Sequence, residues 1–126
     1  MQPRFHIVMF HPEIPHNTGA AGRLALATGS RLHLIKPLGF SLDEKHVRRT
    51  GLDYWAKVDL HVWDSLEELK QAAAPGAQFW YLSTKAPRSH WDAVFHAGDY
   101  LVFGPESRGL PESMLREHAD TALTIP

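Results

Sequence analysis

The sequence predicts an α/β domain: a three-layer, mostly parallel sheet with flanking helices. Strand-length apolar runs recur along the chain, capped helical segments lie between them, and two runs end directly in turns rich in glycine and charge. The runs are Phe5 to Phe10, Leu32 to Ile35, Val58 to Trp63, Phe79 to Leu82, Tyr100 to Phe103 and Ala122 to Ile125, most of them bounded by turn formers. Strands that alternate with helices are joined by crossovers, and crossovers make neighbouring strands parallel.

The helices follow in order. Gly19 to Thr28 is rich in Ala and Leu and stops at Gly29, which suits the left-handed turn that ends a helix; Asn17 or Thr18 is placed to cap its start. Ser41-Leu42-Asp43-Glu44 and Ser65-Leu66-Glu67-Glu68 both have capping-box spacing, in which the hydroxyl serves the free N–H groups of the first turn and the Glu reaches back. The second opens a helix through about Ala74, halted by Pro75-Gly76. Pro111 to His118 reads as a last short helix with Pro at its first position. No linker, repeat or low-complexity tract interrupts the pattern.

Composition narrows the function classes. A chain of 126 residues with 44% hydrophobic content is expected to form one domain, residues 1–126, with a real core. It has no cysteine, which excludes a disulfide framework, a zinc-thiolate site and a catalytic thiol, and makes the cytoplasm the expected compartment. The apolar run at the start is too short for a signal peptide or a membrane span, so no membrane association is expected. A formal charge of −1 gives no global attraction to nucleic acid, and any such binding must use a local patch.

Two segments carry candidate chemistry. In Tyr100 to Pro111 an apolar run ends in Gly104-Pro105-Glu106-Ser107-Arg108-Gly109, and in an open α/β sheet ligands bind just outside the carboxyl ends of the strands. After the first run comes Pro12-Glu13-Ile14-Pro15-His16-Asn17-Thr18-Gly19-Ala20-Ala21-Gly22-Arg23: two prolines stiffen a loop, and small residues allow close approach before Arg23 emerges from the helix. A capped helix with a surface arginine explains the second segment equally well on its own. Together, the two can share one sheet edge.

Other readings are weaker. There is no Gly-x-Gly-x-x-Gly after the first run and no phosphate-binding Gly-Lys-Ser/Thr loop, which disfavours a dinucleotide or nucleotide domain; Ser107 is not in a Gly-x-Ser-x-Gly elbow. His6, His11 and His16, five apart, fit no metal-binding helix or strand face, so they read as surface or loop histidines, with no metal expected. Trp63 and Trp80 lie inside apolar runs and read as core; Trp55 and Trp91 are open. Lys45, His46, Arg48 and Arg49 form a dense cationic stretch that is either a solvated helix end or an RNA contact.

Several motifs in fixed order resemble the SPOUT-superfamily RNA methyltransferases, and most closely the branch that methylates the ribose 2'-hydroxyl of the tRNA wobble nucleotide. They are Pro12-Glu13-Ile14-Pro15 with Asn17-Thr18-Gly19 and Arg23, Lys36-Pro37-Leu38-Gly39-Phe40, Arg48-Arg49-Thr50-Gly51-Leu52-Asp53-Tyr54, Leu82-Ser83-Thr84-Lys85, and Phe103 through Pro111. The resemblance implies a homodimer with a C-terminal trefoil knot that binds S-adenosylmethionine. It implies that Leu82, Gly104 and Ile125 line the cofactor pocket, that Asn17, Arg23 and Glu106 are catalytic, that Arg108 lies in the turn around the pocket, and that Lys45, Arg48 and Arg49 contact tRNA. Ala20 stands where such proteins usually have a second Asn, and Ala86 where a Gly often follows Thr-Lys. Relatives continue past Pro126 with a segment that completes the knot, so the sequence as it stands is expected to lack that segment. A non-catalytic RNA-binding or scaffold role is the alternative expectation.

Overall fold

Ile7-Val8-Met9 and Leu101-Val102 supply the near-continuous apolar sequence that a strand covered on both faces requires, and their strands form the middle of the sheet. The computed structural model describes residues 3–40, 57–84, 88–89 and 94–124. Its strands are β1 (His6–Phe10), β2 (Arg31–Ile35), β3 (Leu60–Trp63), β4 (Phe79–Ser83), β5 (Arg88–Ser89), β6 (Tyr100–Phe103) and β7 (Ala122–Thr124). They form one sheet of seven strands in the order β3-β2-β1-β6-β4-β7-β5, and every pairing is parallel. The parallel sheet expected from the alternation is therefore present. β5, two residues with no apolar run, has no counterpart among the expected strands.

Side chains alternate between the two faces of the sheet. Ile7, Met9, Leu32 and Leu34 pack with Ala25 of helix α1 (Pro15–Thr28). Val8, Ile35, Tyr100 and Val102 pack on the other face with Leu66 and Leu69 of α2 (Leu66–Ala72) and Leu115 of α3 (Glu112–Glu117). Helices on opposite faces give the three layers. Trp80 is buried and Trp63 half-buried against the core, as their setting in apolar runs suggests.

The helix boundaries depart from expectation for local reasons. α1 starts at Pro15, with extended Ile14 before it, so Asn17 and Thr18 lie inside the first turns and neither caps. Proline's fixed φ is already helical and its missing N–H is no loss in a first turn, so the helix begins there. Thr18, Gly22 and Ala25 form its buried stripe, and these small residues seat it close to the sheet. At its end Gly29 adopts φ 69°, and its N–H serves the carbonyls of Ala25 and Leu26.

Ser65 caps α2 by accepting the Glu68 N–H at 3.1 Å, while the Glu68 carboxylate accepts from Asp64 rather than from Ser65 itself. α2 ends at Ala72 because extended backbone begins at Ala73, ahead of Pro75. Pro111 precedes α3 instead of opening it, with ψ at 139°. The Ser41 capping box, Trp55 and Trp91 lie outside the described residues.

His6 is a clear correction. It is buried in β1 rather than placed on the surface or in a loop, because His33 of β2 supplies a ring nitrogen 2.8 Å away. His11 is half-buried and His16 exposed. Among the described residues no helix is long and apolar enough to cross a membrane, and no group of three His, Asp or Glu could hold a metal ion.

Candidate active site

From β1 the chain winds outward through β2 to β3, while β6 flanks β1 on its other side. That divergence is a topological switch point, and it opens a crevice at the carboxyl ends of β1 and β6. The two segments singled out from sequence follow those two strands. They meet here.

Glu13 of the loop after β1 and the turn after β6 are bonded both ways. The Glu13 carboxylate accepts the Ser107 N–H at 2.8 Å and the Ser107 hydroxyl at 2.7 Å, and the Glu13 N–H donates to the Glu106 carboxylate at 2.8 Å. The Ser107 N–H, its hydroxyl and the Arg108 charge together hold the Glu13 carboxyl below its ordinary range. The loop after β2 joins them: the Gly39 N–H donates to the Pro12 carbonyl at 2.9 Å, and a Cβ on Gly39 would press on Glu13 Cα at 2.9 Å. Within the turn, the N–H groups of Arg108 and Gly109 return to the Pro105 carbonyl, and Gly109 takes φ 71°. Any side chain at Gly104 would overlap the backbone of Gly109 and Leu110, so the turn can fold back on the end of β6 only over glycine.

Two cavities flank this junction, and a separate one of about 440 Å³ lies elsewhere against Lys70, Tyr81 and His118, away from the carboxyl edge. The one at the edge encloses about 610 Å³ and is bounded by Leu82, Ser83, Thr84, Phe103, Gly104 and the turn from Pro105 to Gly109. Its position decides which one matters, because it sits where an open parallel sheet binds ligands. A second, apolar hollow of about 310 Å³ on the α1 side is lined by Ile7, Met9, Asn17, Ala21, Leu24, Leu101, Phe103, Gly104 and Glu106.

The expected residues are thus partly assembled. Leu82 and Gly104 line the edge cavity, with Arg108 also in its wall. Asn17 and Glu106 share the α1-side hollow, and Glu106 contributes to both spaces. Arg23 is exposed on α1 and outside both linings; six residues beyond Asn17, it sits about 120° around the helix from it. Ile125, Lys45, Arg48 and Arg49 lie outside the described residues. Sequence reasoning assigns no role to Glu13 or Ser107. Their pairing spans 94 positions, and no local pattern announces it.

Loops from both sides of a switch point, meeting beside a cavity at the carboxyl edge of the sheet, place the chain among the parallel α/β proteins. The chain belongs to the SpoU rRNA Methylase family, whose model matches residues 4–126. It is 51% identical to the tRNA (cytidine(34)-2'-O)-methyltransferase of Saccharophagus degradans, over 97% of this chain and 79% of that protein. It is 48% identical to the enzyme of the same name from Methylovorus glucosotrophus, over 87% of this chain and 71% of that one. A solved structure described as "Structural insights into the 2-OH methylation of C/U34 on tRNA" superposes with a TM-score of 0.89 at 47% identity, covering 97% of this chain and 79% of that one. The methyltransferase resemblance drawn from the motifs is borne out.

Proposed function

We propose that the protein transfers a methyl group from S-adenosylmethionine to the ribose 2'-hydroxyl of the wobble nucleotide of tRNA, a pyrimidine at position 34. The observation that carries this is the crossed bonding of the Glu13 loop and the Glu106-Ser107 turn over the edge cavity, in a chain so similar to wobble methyltransferases.

The edge cavity suits such a donor. Its volume is in the range of nucleoside-sized ligands, Leu82 and Phe103 offer apolar surface, the backbone of the turn offers polar groups, and Arg108 offers a cation for a carboxylate. When bound, the donor supplies an electrophilic methyl on a sulfonium. A ribose hydroxyl is a weak nucleophile, so the protein's work is to align it and to stabilise the alkoxide that develops. We assign Asn17 and Glu106 to alignment, since they face one hollow beside Gly104. Arg23 stabilises the developing alkoxide by charge and hydrogen bonding, its exposure leaving it open to incoming RNA. A guanidinium holds its proton too firmly to act as the base, so the proton leaves to water or to an RNA phosphate.

We assign Ile125 to the cofactor site, and Lys45, Arg48 and Arg49 to tRNA phosphates, as the family resemblance implies. The single domain of residues 1–126 carries the fold, in the cytoplasm. A trefoil knot at the carboxyl end is supported by β7, late in sequence, pairing between β4 and β5. A homodimer is supported by Leu24, 56% exposed on α1 and lining the apolar hollow.

The test is direct. The full-length protein is incubated with labelled S-adenosylmethionine and unmodified tRNA, and the RNA is digested and searched for 2'-O-methylated nucleosides. Label in the wobble nucleoside is the expected result. A folded protein that labels another position, or none, overturns the proposal.

A further inference from the structure

We infer that Glu13 is a positioning residue that couples the cofactor turn to the helix carrying Asn17 and Arg23, an inference that rests on the methyltransferase reading. The observation is the two-way bonding at one residue. Its carboxylate takes both polar hydrogens of Ser107, and its own N–H is taken by Glu106. Two residues further on, Pro15 opens α1. Pro12 and Pro15 stiffen the intervening backbone, and Gly39 closes against Glu13 Cα from the third loop. A displacement of the turn is therefore passed to the start of α1 through one side chain and one peptide N–H.

The clamp has little other purpose. These bonds face solvent, and hydrogen bonds and charges so placed add little to stability. Holding Glu106 in one place is what the clamp achieves. In the proposed reaction, that fixes the wall shared by the cofactor cavity and the Asn17 hollow.

The experiment compares the full-length protein with E13Q, S107A and the double variant. Four quantities are read: thermal midpoint, amide exchange at Ser107, affinity for S-adenosylhomocysteine, and kcat and KM for tRNA. The expected result for E13Q is faster Ser107 exchange, weaker S-adenosylhomocysteine binding, and a kcat about tenfold or more lower with KM and thermal midpoint little changed. The double variant is expected to be no worse than E13Q, because both changes break one clamp. Unchanged Ser107 exchange, unchanged kcat, or independent multiplying effects of the two substitutions overturns the inference. If the parent protein methylates no tRNA, the proposed reaction fails, while Ser107 exchange and S-adenosylhomocysteine affinity still decide whether Glu13 holds the turn.

Discussion

His33 Nε2 lies 2.8 Å from His6 Nδ1, while the Trp63 indole N–H donates to His33 Nδ1 at 2.9 Å. This chain of bonds fixes the protonation of both rings: His33 accepts at Nδ1, so its hydrogen sits on Nε2 and points at His6. Both rings are neutral. Tyr100 stacks on His6 at 3.9 Å and closes the group against the core.

The first prediction is a loss of stability in mild acid. Burial, with Arg31 and His61 nearby and Asp59 opposing them, holds His6 at about 4 and His33 at about 3, against 6.5 for a free ring. The unfolded chain then binds more protons below pH 6.5. The contribution is complete above that value and fades as pH falls toward the folded values, by up to about 1.4 kcal/mol per pH unit for each ring. Urea unfolding between pH 6.5 and 5, where ordinary carboxylates stay ionised, should show this slope. In His33→Gln it should be shallower, and an equal slope would contradict the assignment.

Asp99 is the second. It is 5% exposed, and one carboxylate oxygen accepts both the Trp80 indole N–H at 2.9 Å and the His96 backbone N–H at 2.8 Å. Asp99→Ala strands two donors and is expected to cost about 2 to 4 kcal/mol in denaturant unfolding. Asp99→Asn retains an acceptor oxygen and should cost less than Asp99→Ala.

At Gly104 the prediction concerns space alone, because its φ is not positive. Gly104→Ala forces Gly109 and Leu110 away from the end of β6, an overpacking worth about 1 to 3 kcal/mol. Calorimetry should find S-adenosylhomocysteine binding lost in a protein that still folds.

Arg23 should separate stability from activity. As an exposed side chain its removal is expected to shift stability by no more than about 0.5 kcal/mol. Turnover on tRNA in Arg23→Ala should fall by about a hundredfold or more, as expected when a donor to developing charge is removed. Near-normal turnover would end its proposed role.

The strands were legible because burial on both faces demands apolar runs, and Phe79 to Leu82 or Tyr100 to Phe103 have no other use. What sequence could not show was pairing at a distance. His6 reads as a surface or loop histidine until His33, 27 residues away, supplies its partner. Helix starts were misplaced where two local rules compete: Asn17 and Thr18 are good caps, but Pro15 is a better first residue and stands earlier. The site was legible as two motifs, and Asn17, Glu106 and Gly104 do converge. The clamp between Glu13 and Ser107 required the sheet to bring its two loops together.

The place of β7 bears on how the protein is made. Residues 122–124 leave the ribosome after β1 to β6, yet they fill a gap between β4 and β5. Until they emerge, one edge of β4 has no neighbour in the sheet, however completely β1, β2 and β3 have already assembled. Closure of the sheet therefore waits until residues 122–124 have emerged, and the long sequence separation of their pairings with β4 and β5 makes that step slow. A nascent chain paused before Ala122 presents an open strand edge, the state in which a chaperone has most to do.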